Sequence, residues 1–310
     1  MIHLITYGNE KYKKTRKELI SDAKNLGWFD TTTEYSPETL EPTFRKQFAD
    51  ILKKDRGAGF WIWKVNIITQ KLREIKDNDI LIYLDAGCIF NANGKKRFDE
   101  YIEYLNNSDK GMISFQLPFT EKKYTTSDIF EHFRIDMNSE IANSGQYVGG
   151  VLLMKKTPNL VELISLWQKT LNTNSVLFTN NYSVSQKPYF ISNRHDQSVF
   201  SIIRKMNDTI VLKDETYFAD FESEKARSCP IWASRRNIDT KVAEVTITKP
   251  PPVTNNIKKF NLFSEGKTPK HKHNHGIQMN LNNNTTIQKN NNIVERNNNI
   301  NHVKFNLNKY

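Results

Sequence analysis

An aspartate follows directly on a run of apolar residues in this sequence. Ile80–Leu84 are five such residues, and Asp85, Ala86 and Gly87 come next. A continuous apolar run is typical of a central parallel strand that is covered on both faces. Ligands of open α/β sheets bind outside the carboxyl ends of such strands. Asp85 and Gly87 are therefore predicted to face a ligand, or else Asp85 caps a turn and Gly87 supplies an unusual φ angle.

A second cluster, RGAGFWIWK, combines two glycines with three aromatic residues and two cations. Aromatic rings such as Trp63 stack on bases or sugars, while Arg56 and Lys64 can offset phosphate charge. The alternative is that Phe60, Trp61 and Trp63 pack in the core and the two cations are solvated.

Paired glycines, Gly149 and Gly150, precede the apolar segment VLLMKK. Two glycines at the start of a strand indicate that something approaches the backbone closely. A neighbouring strand and a ligand both fit this pattern.

The fourth cluster, NRHDQSVFS, places His195, Asp196 and Gln197 at the head of a predicted helix. The carboxylate of Asp196 can cap the first turn by accepting its free N–H groups. It can also act as a general base beside a substrate hydroxyl. Neither role excludes the other.

Strand-like and helix-like segments alternate through the first 240 residues, which predicts an α/β fold with a largely parallel sheet. The predicted strands are HLITYG, ILIYL, GMISFQL, VGGVLLMKK and TIVLKD. The predicted helices carry Leu19, Ala23 and Leu26, ending at Gly27; Phe44, Phe48, Ile51 and Leu52; Ile68, Leu72 and Ile75; Leu160, Leu163, Ile164, Trp167 and Leu171; and the segment SVFSIIRKM.

The charge is distributed unevenly along the 310 residues. The net charge of the chain is +11. The last seventy residues contain eleven Lys or Arg and three Glu, whereas residues 1–240 contain 34 basic and 31 acidic residues and are nearly balanced. The terminal part is also rich in asparagine, so residues 249–310 are predicted to be a disordered, low-complexity tail after a domain at 1–248. Within it, KHKHNH could bind a metal ion or an acidic partner, or be a solvated polar tract.

Several classes are disfavoured by what the sequence lacks. Two cysteines do not make a disulfide framework, and no CxxC or HExxH spacing indicates a zinc site. No signal peptide or transmembrane segment is evident, so a cytoplasmic location is predicted. The Asn-, Lys- and Ile-rich composition is compatible with an AT-rich genome of a bacterium, a protist or a large virus. A viral protein would lie in the host cytoplasm or the virion.

GxGxxG and P-loop motifs are both absent, which removes the two commonest nucleotide sites of α/β sheets. The pair RGAGFWIWK and YLDAGC, over residues 1–240, resembles the nucleotide-sugar-dependent glycosyltransferases of the GT-A fold, in particular bacterial and viral members. That resemblance implies a GT-A-like, Rossmann-like sheet flanked by helices. It further implies a nucleotide-sugar donor, with UDP as the first candidate nucleotide, and a hydroxyl acceptor on a glycan, a protein or a small molecule.

The resemblance also implies roles for individual residues. Asp85 matches the first aspartate of the DxD-type motif that holds the sugar nucleotide, commonly with Mn²⁺ or Mg²⁺, whereas Gly87 stands where the second would be. The metal ion is therefore expected at Asp85. Arg56 and Lys64 are expected to supply part of the positive charge that the metal ion gives in other members. Asp196 looks like the acidic residue facing the acceptor, and His195 lies in the same neighbourhood. The implied donor-site residues are Arg56, Trp63, Lys64, Asp85, Ala86, Gly87, Gly149 and Gly150.

Two other classes of function remain open from the sequence. A sugar-nucleotide-binding protein without catalysis fits the missing second carboxylate. A nucleic-acid-binding protein fits the net charge and the tail, but the sequence shows no helix-turn-helix, zinc-finger or RRM pattern. We therefore expect no nucleic acid among its partners, and no membrane span.

Overall fold

The apolar run Ile80–Leu84 forms a fully buried strand in the middle of a seven-stranded sheet. This computed structural model describes residues 1–234; the predicted tail at 249–310, with its KHKHNH segment, lies outside them. The strands are β1 Ile2–Tyr7, β2 Thr31–Tyr35, β3 Ile80–Leu84, β4 Ile89–Phe90, β5 Met112–Thr120, β6 Gly145–Tyr147, β7 Val151–Lys155, β8 Ile210–Lys213 and β9 Ile231–Trp232.

The strands of the main sheet run in both directions. Neighbouring strands follow the order β2-β1-β3-β7-β5, and both β6 and β8 also pair with β5. The pairs β1–β2, β1–β3 and β5–β8 are parallel, whereas β7 is antiparallel to β3 and β5, and β6 is antiparallel to β5. The predicted α/β class is confirmed, with a mixed sheet. A separate antiparallel pair joins β4 to β9.

Helices cover both faces of the sheet. Their bounds are α1 Lys13–Leu26, α2 Pro42–Gln47, α3 Ala49–Leu52, α4 Gly57–Phe60, α5 Trp63–Glu74, α6 Lys95–Asn106, α7 Glu121–Tyr124, α8 Ser127–His132, α9 Glu140–Asn143, α10 Pro158–Thr173, α11 Asp196–Met206 and α12 Glu224–Arg227. Within residues 1–234, no helix is long and apolar enough to cross a membrane.

Two hydrophobic cores lie on opposite faces of the sheet, and β3 contributes to both. Its side chains alternate, because successive residues of a strand point to opposite faces. Leu81 and Tyr83 join the core formed with α5, α10 and α11, while Ile80, Ile82 and Leu84 join the core formed with α1 and α6. Burial on both faces explains why this strand has no polar position.

Two local expectations have clear outcomes. Helix α1 ends as predicted at Gly27, which is left-handed at φ 66°. The helix predicted from Phe44 to Leu52 is wrong as a single element, because Phe48 leaves helical geometry at φ −108°, ψ 23° and separates α2 from α3.

The link between β6 and β7 is a bulge, and it contributes to the cavity described below. Tyr147 pairs with Gln116 and Leu153 pairs with Ile113, so the β6–β7 side holds three more residues between these pairings than β5 does. Bulges of this kind redirect the chain and are frequent beside active sites. Gly149 and Gly150 lie in it.

Candidate active site

The segment before α5, which contains the short element α4, is a left-handed turn and not a regular α-helix. Five consecutive residues, Gly57 to Trp61, have φ angles of 59°, 49°, 98°, 55° and 61°. Left-handed geometry costs a residue with a side chain about 1–2 kcal/mol. Such conformations persist only where surrounding contacts determine them, and they cluster at functional sites.

Both glycines of this turn are required by close packing. A Cβ on Gly57 would lie 2.3 Å from the Trp61 ring, and one on Gly59 would lie 2.7 Å from the Leu52 Cα atom. The indole N–H of Trp63 donates to the Gly57 carbonyl at 2.9 Å, which ties the turn to the start of α5. The sequence pattern therefore encodes a defined backbone shape rather than a flexible loop.

The turn holds Arg56 against His195. The Arg56 Nε–H donates to His195 Nε2 at 2.8 Å, and the imidazole packs against Phe60 and Trp61 at centroid distances of 4.7 and 5.7 Å. His195 is buried, and its own backbone is strained at φ 56°, ψ −119°. Burial, followed by the charge of Arg56, lowers the pKa of His195 to about 4. At neutral pH the ring is therefore uncharged and serves as the acceptor that orients Arg56.

Lys64 lies between two carboxylates. Its Nζ donates to Asp196 Oδ2 at 2.7 Å and to the Gly149 carbonyl at 2.8 Å, and lies 3.7 Å from Asp85 Oδ1. Burial lowers the pKa of the ammonium, but Asp196 and Asp85 outweigh it and the net shift is upward. Lys64 is thus a charged, buried group that joins the start of α5 to the start of α11 and the end of β3.

The two carboxylates differ in their surroundings. Asp196 is buried, and burial raises its pKa to about 6 although Lys64 opposes the shift. The side chain of Asp85 is 42% exposed and accepts a hydrogen bond from the Tyr83 hydroxyl. The exposed carboxylate can therefore contact a ligand directly, whereas the buried one is held by Lys64.

Each of the paired glycines makes room for one functional side chain. A Cβ on Gly150 would lie 2.6 Å from Asp85 Oδ2, and one on Gly149 would lie 2.8 Å from the Gln197 Cβ. The Gly149 N–H also donates to Gln197 Oε1 at 3.0 Å. The close approach predicted from the sequence is therefore made by side chains of the site itself.

A cavity of about 790 Å³ unites the predicted residues. Its lining includes all ten of them, namely Arg56, Trp63, Lys64, Asp85, Ala86, Gly87, Gly149, Gly150, His195 and Asp196. Trp63 is largely buried and stacks on Tyr7 at 3.7 Å between ring centroids, so it supports the wall more than it presents a face.

The sequence analysis assigned no role to several polar residues around this cavity. Gln197 donates to Gln146 Oε1 at 2.6 Å, and Gln146 in turn donates to Glu121 Oε2 at 3.1 Å. The Arg194 guanidinium lies 3.9 Å from the centre of the Tyr124 ring. Gln197 and Arg194 flank the His-Asp pair in the sequence, which was a usable signal, whereas Gln146 and Tyr124 had none.

The oxygen atoms around Asp85, where a divalent cation was expected, do not fit such an ion. Mn²⁺ and Mg²⁺ take about six oxygen ligands. Asp85 Oδ1 is already engaged by Tyr83 and lies near Lys64, and Gly87 has no side-chain oxygen. Over residues 1–234 there is no group of three His, Cys, Asp or Glu side chains that could hold a metal ion.

Comparisons with known proteins found similarity to solved structures only. No family model matches the sequence, and neither does any curated protein. The solved structures similar to it include a glycosyltransferase involved in the glycosylation of the major capsid of PBCV-1, at 13% identity, with 74% of this chain and 92% of that chain covered and a TM-score of 0.45. Mouse xyloside xylosyltransferase 1 follows at 12% identity, 78% and 100% coverage and a TM-score of 0.42.

A third is the galactosyltransferase LgtC in complex with donor and acceptor sugar analogues, at 11% identity, 74% and 86% coverage and a TM-score of 0.39. At such identities and TM-scores, these matches decide neither the family nor the reaction.

Proposed function

We propose that this protein is a glycosyltransferase that moves a sugar from a nucleotide-sugar donor to a hydroxyl group of an acceptor. The observation that carries the proposal is the pair of carboxylates at one cavity, Asp85 exposed at the end of β3 and Asp196 buried at the start of α11, joined by Lys64. The resemblance of RGAGFWIWK and YLDAGC to GT-A enzymes supports it, since both segments form walls of this cavity.

The cavity has a cationic side suited to a diphosphate. Sugar transfer builds negative charge on the departing diphosphate and positive, oxocarbenium-like charge at the anomeric carbon. Arg56 lines the cavity and its Nε is engaged by His195, so the terminal N–H groups of a fixed guanidinium are available to phosphate oxygens. Preorganised donors of this kind stabilise charge as it develops.

Asp196 is suited to the reacting carbon and the acceptor hydroxyl. A carboxylate with a pKa near 6 is ionised at neutral pH and still basic enough to accept a proton. In an inverting reaction it takes the proton of the acceptor hydroxyl. In a retaining reaction its negative charge stabilises the oxocarbenium-like centre.

Exposed aromatic rings line the opposite wall of the cavity. Phe119 and Tyr217 are both exposed, and Tyr124 stacks on Arg194 beside Phe119. Aromatic faces with a polar handle suit sugar rings, which are apolar on one face and polar at the edge. We assign this wall to a glycan acceptor, and the wall formed by Tyr7, Tyr12 and Trp61 to the nucleotide.

The first test is a thermal-shift screen of the full chain against UDP-, GDP-, CMP- and dTDP-sugars. A ligand that binds only the native state raises the melting temperature. We expect a shift with one nucleotide family, with UDP-sugars the first candidate. If none of them changes the melting temperature, the proposal loses its basis.

The second test is turnover by aspartate variants, measured as release of nucleoside diphosphate. Asp85→Asn and Asp196→Asn should each lower kcat/KM by at least about 100-fold, because each removes charge at the reacting centre. Asp99→Asn is the matched control, since Asp99 is exposed on α6 and pairs with Lys95. Full turnover by either site variant would remove that residue from the mechanism, and donor binding without hydrolysis or transfer would favour a non-catalytic binding protein.

A further inference from the structure

A single ammonium group lies between the two carboxylates of the site. Lys64 Nζ faces three oxygen atoms, at 2.7 Å on Asp196, 2.8 Å on Gly149 and 3.7 Å on Asp85. Lys64 is 2% exposed and is the second residue of α5. The chain itself therefore holds this cation in place.

The charges at the cavity explain why a cation is needed there. Asp85 and Asp196 carry two negative charges, and Lys64 reduces the total for the three groups to −1. A diphosphate brings further negative charge, and like charges a few ångströms apart repel strongly where water is excluded. Arg56 offers a second positive charge on the same cavity. The described residues thus supply positive charge without an ion from solution.

A metal ion at Asp85 would have few protein ligands. Asp85 is the exposed carboxylate, and one of its oxygens is already engaged by Tyr83. Residue 87 is glycine and contributes no side-chain oxygen. Hard divalent cations require several oxygen ligands in defined geometry. Lys64 instead has its oxygen partners at hydrogen-bonding and ion-pairing distances.

On the basis of the proposed function, we propose that Lys64 is the built-in cation of the donor site. A nucleoside diphosphate sugar then binds to this protein without a divalent metal ion. Lys64 acts by holding and neutralising the two carboxylates, and Arg56 acts on the diphosphate itself.

The donor arm of the test compares metal-free and metal-containing buffers. The full chain is freed of metal with EDTA, and binding of UDP-glucose, GDP-mannose, CMP-sialic acid and dTDP-glucose is measured by calorimetry in EDTA and in MnCl₂. We expect the Kd of the bound donor to agree within about twofold between the two buffers. A Kd that is at least about tenfold lower in MnCl₂ than in EDTA would overturn the proposal, provided that Asp85→Asn abolishes this difference.

The cation arm does not depend on any donor, so it separates this proposal from the proposed function. MnCl₂ alone should leave the melting temperature of the wild-type chain unchanged. Lys64→Ala leaves the three oxygens without a cation, so methylammonium chloride should raise the melting temperature of this variant and not that of the wild type. Stabilisation of the wild type by MnCl₂, abolished in Asp85→Asn, would contradict the inference even if no donor binds.

A second variant covers the case in which Lys64→Ala does not fold. Lys64→Met combined with Asp196→Asn removes the buried pair together and leaves the same net charge of −1 at the site. Its melting temperature should not respond to methylammonium, and its donor affinity in EDTA should stay within about twofold of that of the wild type, because the total charge facing the diphosphate is unchanged. A loss of donor affinity of about tenfold in EDTA would show that Lys64 acts on the donor itself and does not work by neutralising the two carboxylates.

Discussion

His195 and Asp196 are neighbours in the chain, and burial shifts their pKa values in opposite directions. A free histidine titrates above a free aspartate. Here burial and Arg56 lower the pKa of His195 to about 4, while burial raises that of Asp196 to about 6 against the pull of Lys64. The order of the two groups is reversed, because desolvation disfavours whichever form is charged.

The acid limb of the pH profile should therefore belong to Asp196. Below a pH of about 6 this carboxylate gains a proton and loses its function, so kcat/KM should fall about tenfold per pH unit there and be level above about pH 7. In His195→Gln, whose amide oxygen can still accept from Arg56, the limb should stay near pH 6. A profile from about pH 4 to pH 8 checks this, and a limb that disappears in His195→Gln would make the histidine the titrating group.

The ten residues predicted for the site line one cavity, but their contacts with one another were not predictable. Each cluster carried a local signal in composition and order. The contact between Lys64 and Asp196 joins positions 132 residues apart, and no local pattern encodes it. Because this contact has no local signal, Lys64 was expected to face a phosphate group. The structure places it between two carboxylates. His195 was predicted near the acceptor and is found as the partner of Arg56.

At the scale of elements, the left-handed turn before α5 connects Arg56, Trp61 and the start of the helix. Its shape depends on glycines for two separate reasons, the backbone angle and the space around the Cβ. Gly27 at the end of α1 shares the first reason alone, because its φ is 66° and nothing lies within 4 Å of an added Cβ. The chain therefore contains a matched control for the turn.

Gly59→Ala should destabilise the protein more than Gly27→Ala does. Both substitutions force alanine into left-handed geometry, at a cost of about 1–2 kcal/mol. At Gly59 the added Cβ also meets the Leu52 Cα at 2.7 Å, which should add about 1–3 kcal/mol of overpacking strain. The free energies of unfolding in urea measure both costs. Equal losses in the two variants would mean that the turn yields to the extra atom and is not tightly packed.

Some elements were evident from the sequence and others were not. The pattern of β3 and α10 was strong, since one is continuously apolar and the other carries one buried face. Helix α6 was missed although Phe98, Tyr101 and Leu105 have helical spacing. Strand β2 reads TTTEY and packs a single buried residue, Tyr35, so its pairing with β1 comes from the tertiary fold rather than from its own sequence.

At the scale of the whole molecule, the mixed sheet explains why the cavity is lined from two sides. The carboxyl ends of β1 and β3 lie at one side of it, with Tyr7 and Asp85. The ends of β5 and β8 lead to the other side, with Phe119 and Tyr217. Because β7 runs antiparallel between β3 and β5, its first residues approach Asp85 and bring the bulge at Gly149 to the middle. Alternation of elements predicted a sheet, but strand direction depends on these long-range pairings.

Mutations on the two walls of the cavity should affect donor binding and acceptor binding separately. Tyr12 and Tyr217 are both exposed tyrosines on the cavity, one on each wall, so replacing either leaves the cores intact. Tyr12→Ala should raise the donor KM, measured by donor hydrolysis, about three- to tenfold, the value of one aromatic contact. Tyr217→Ala should leave that KM unchanged and weaken retention of the protein on a glycan array by a similar factor. If each variant changes both donor and acceptor binding, the two substrates share one wall and the assignment of separate walls is wrong.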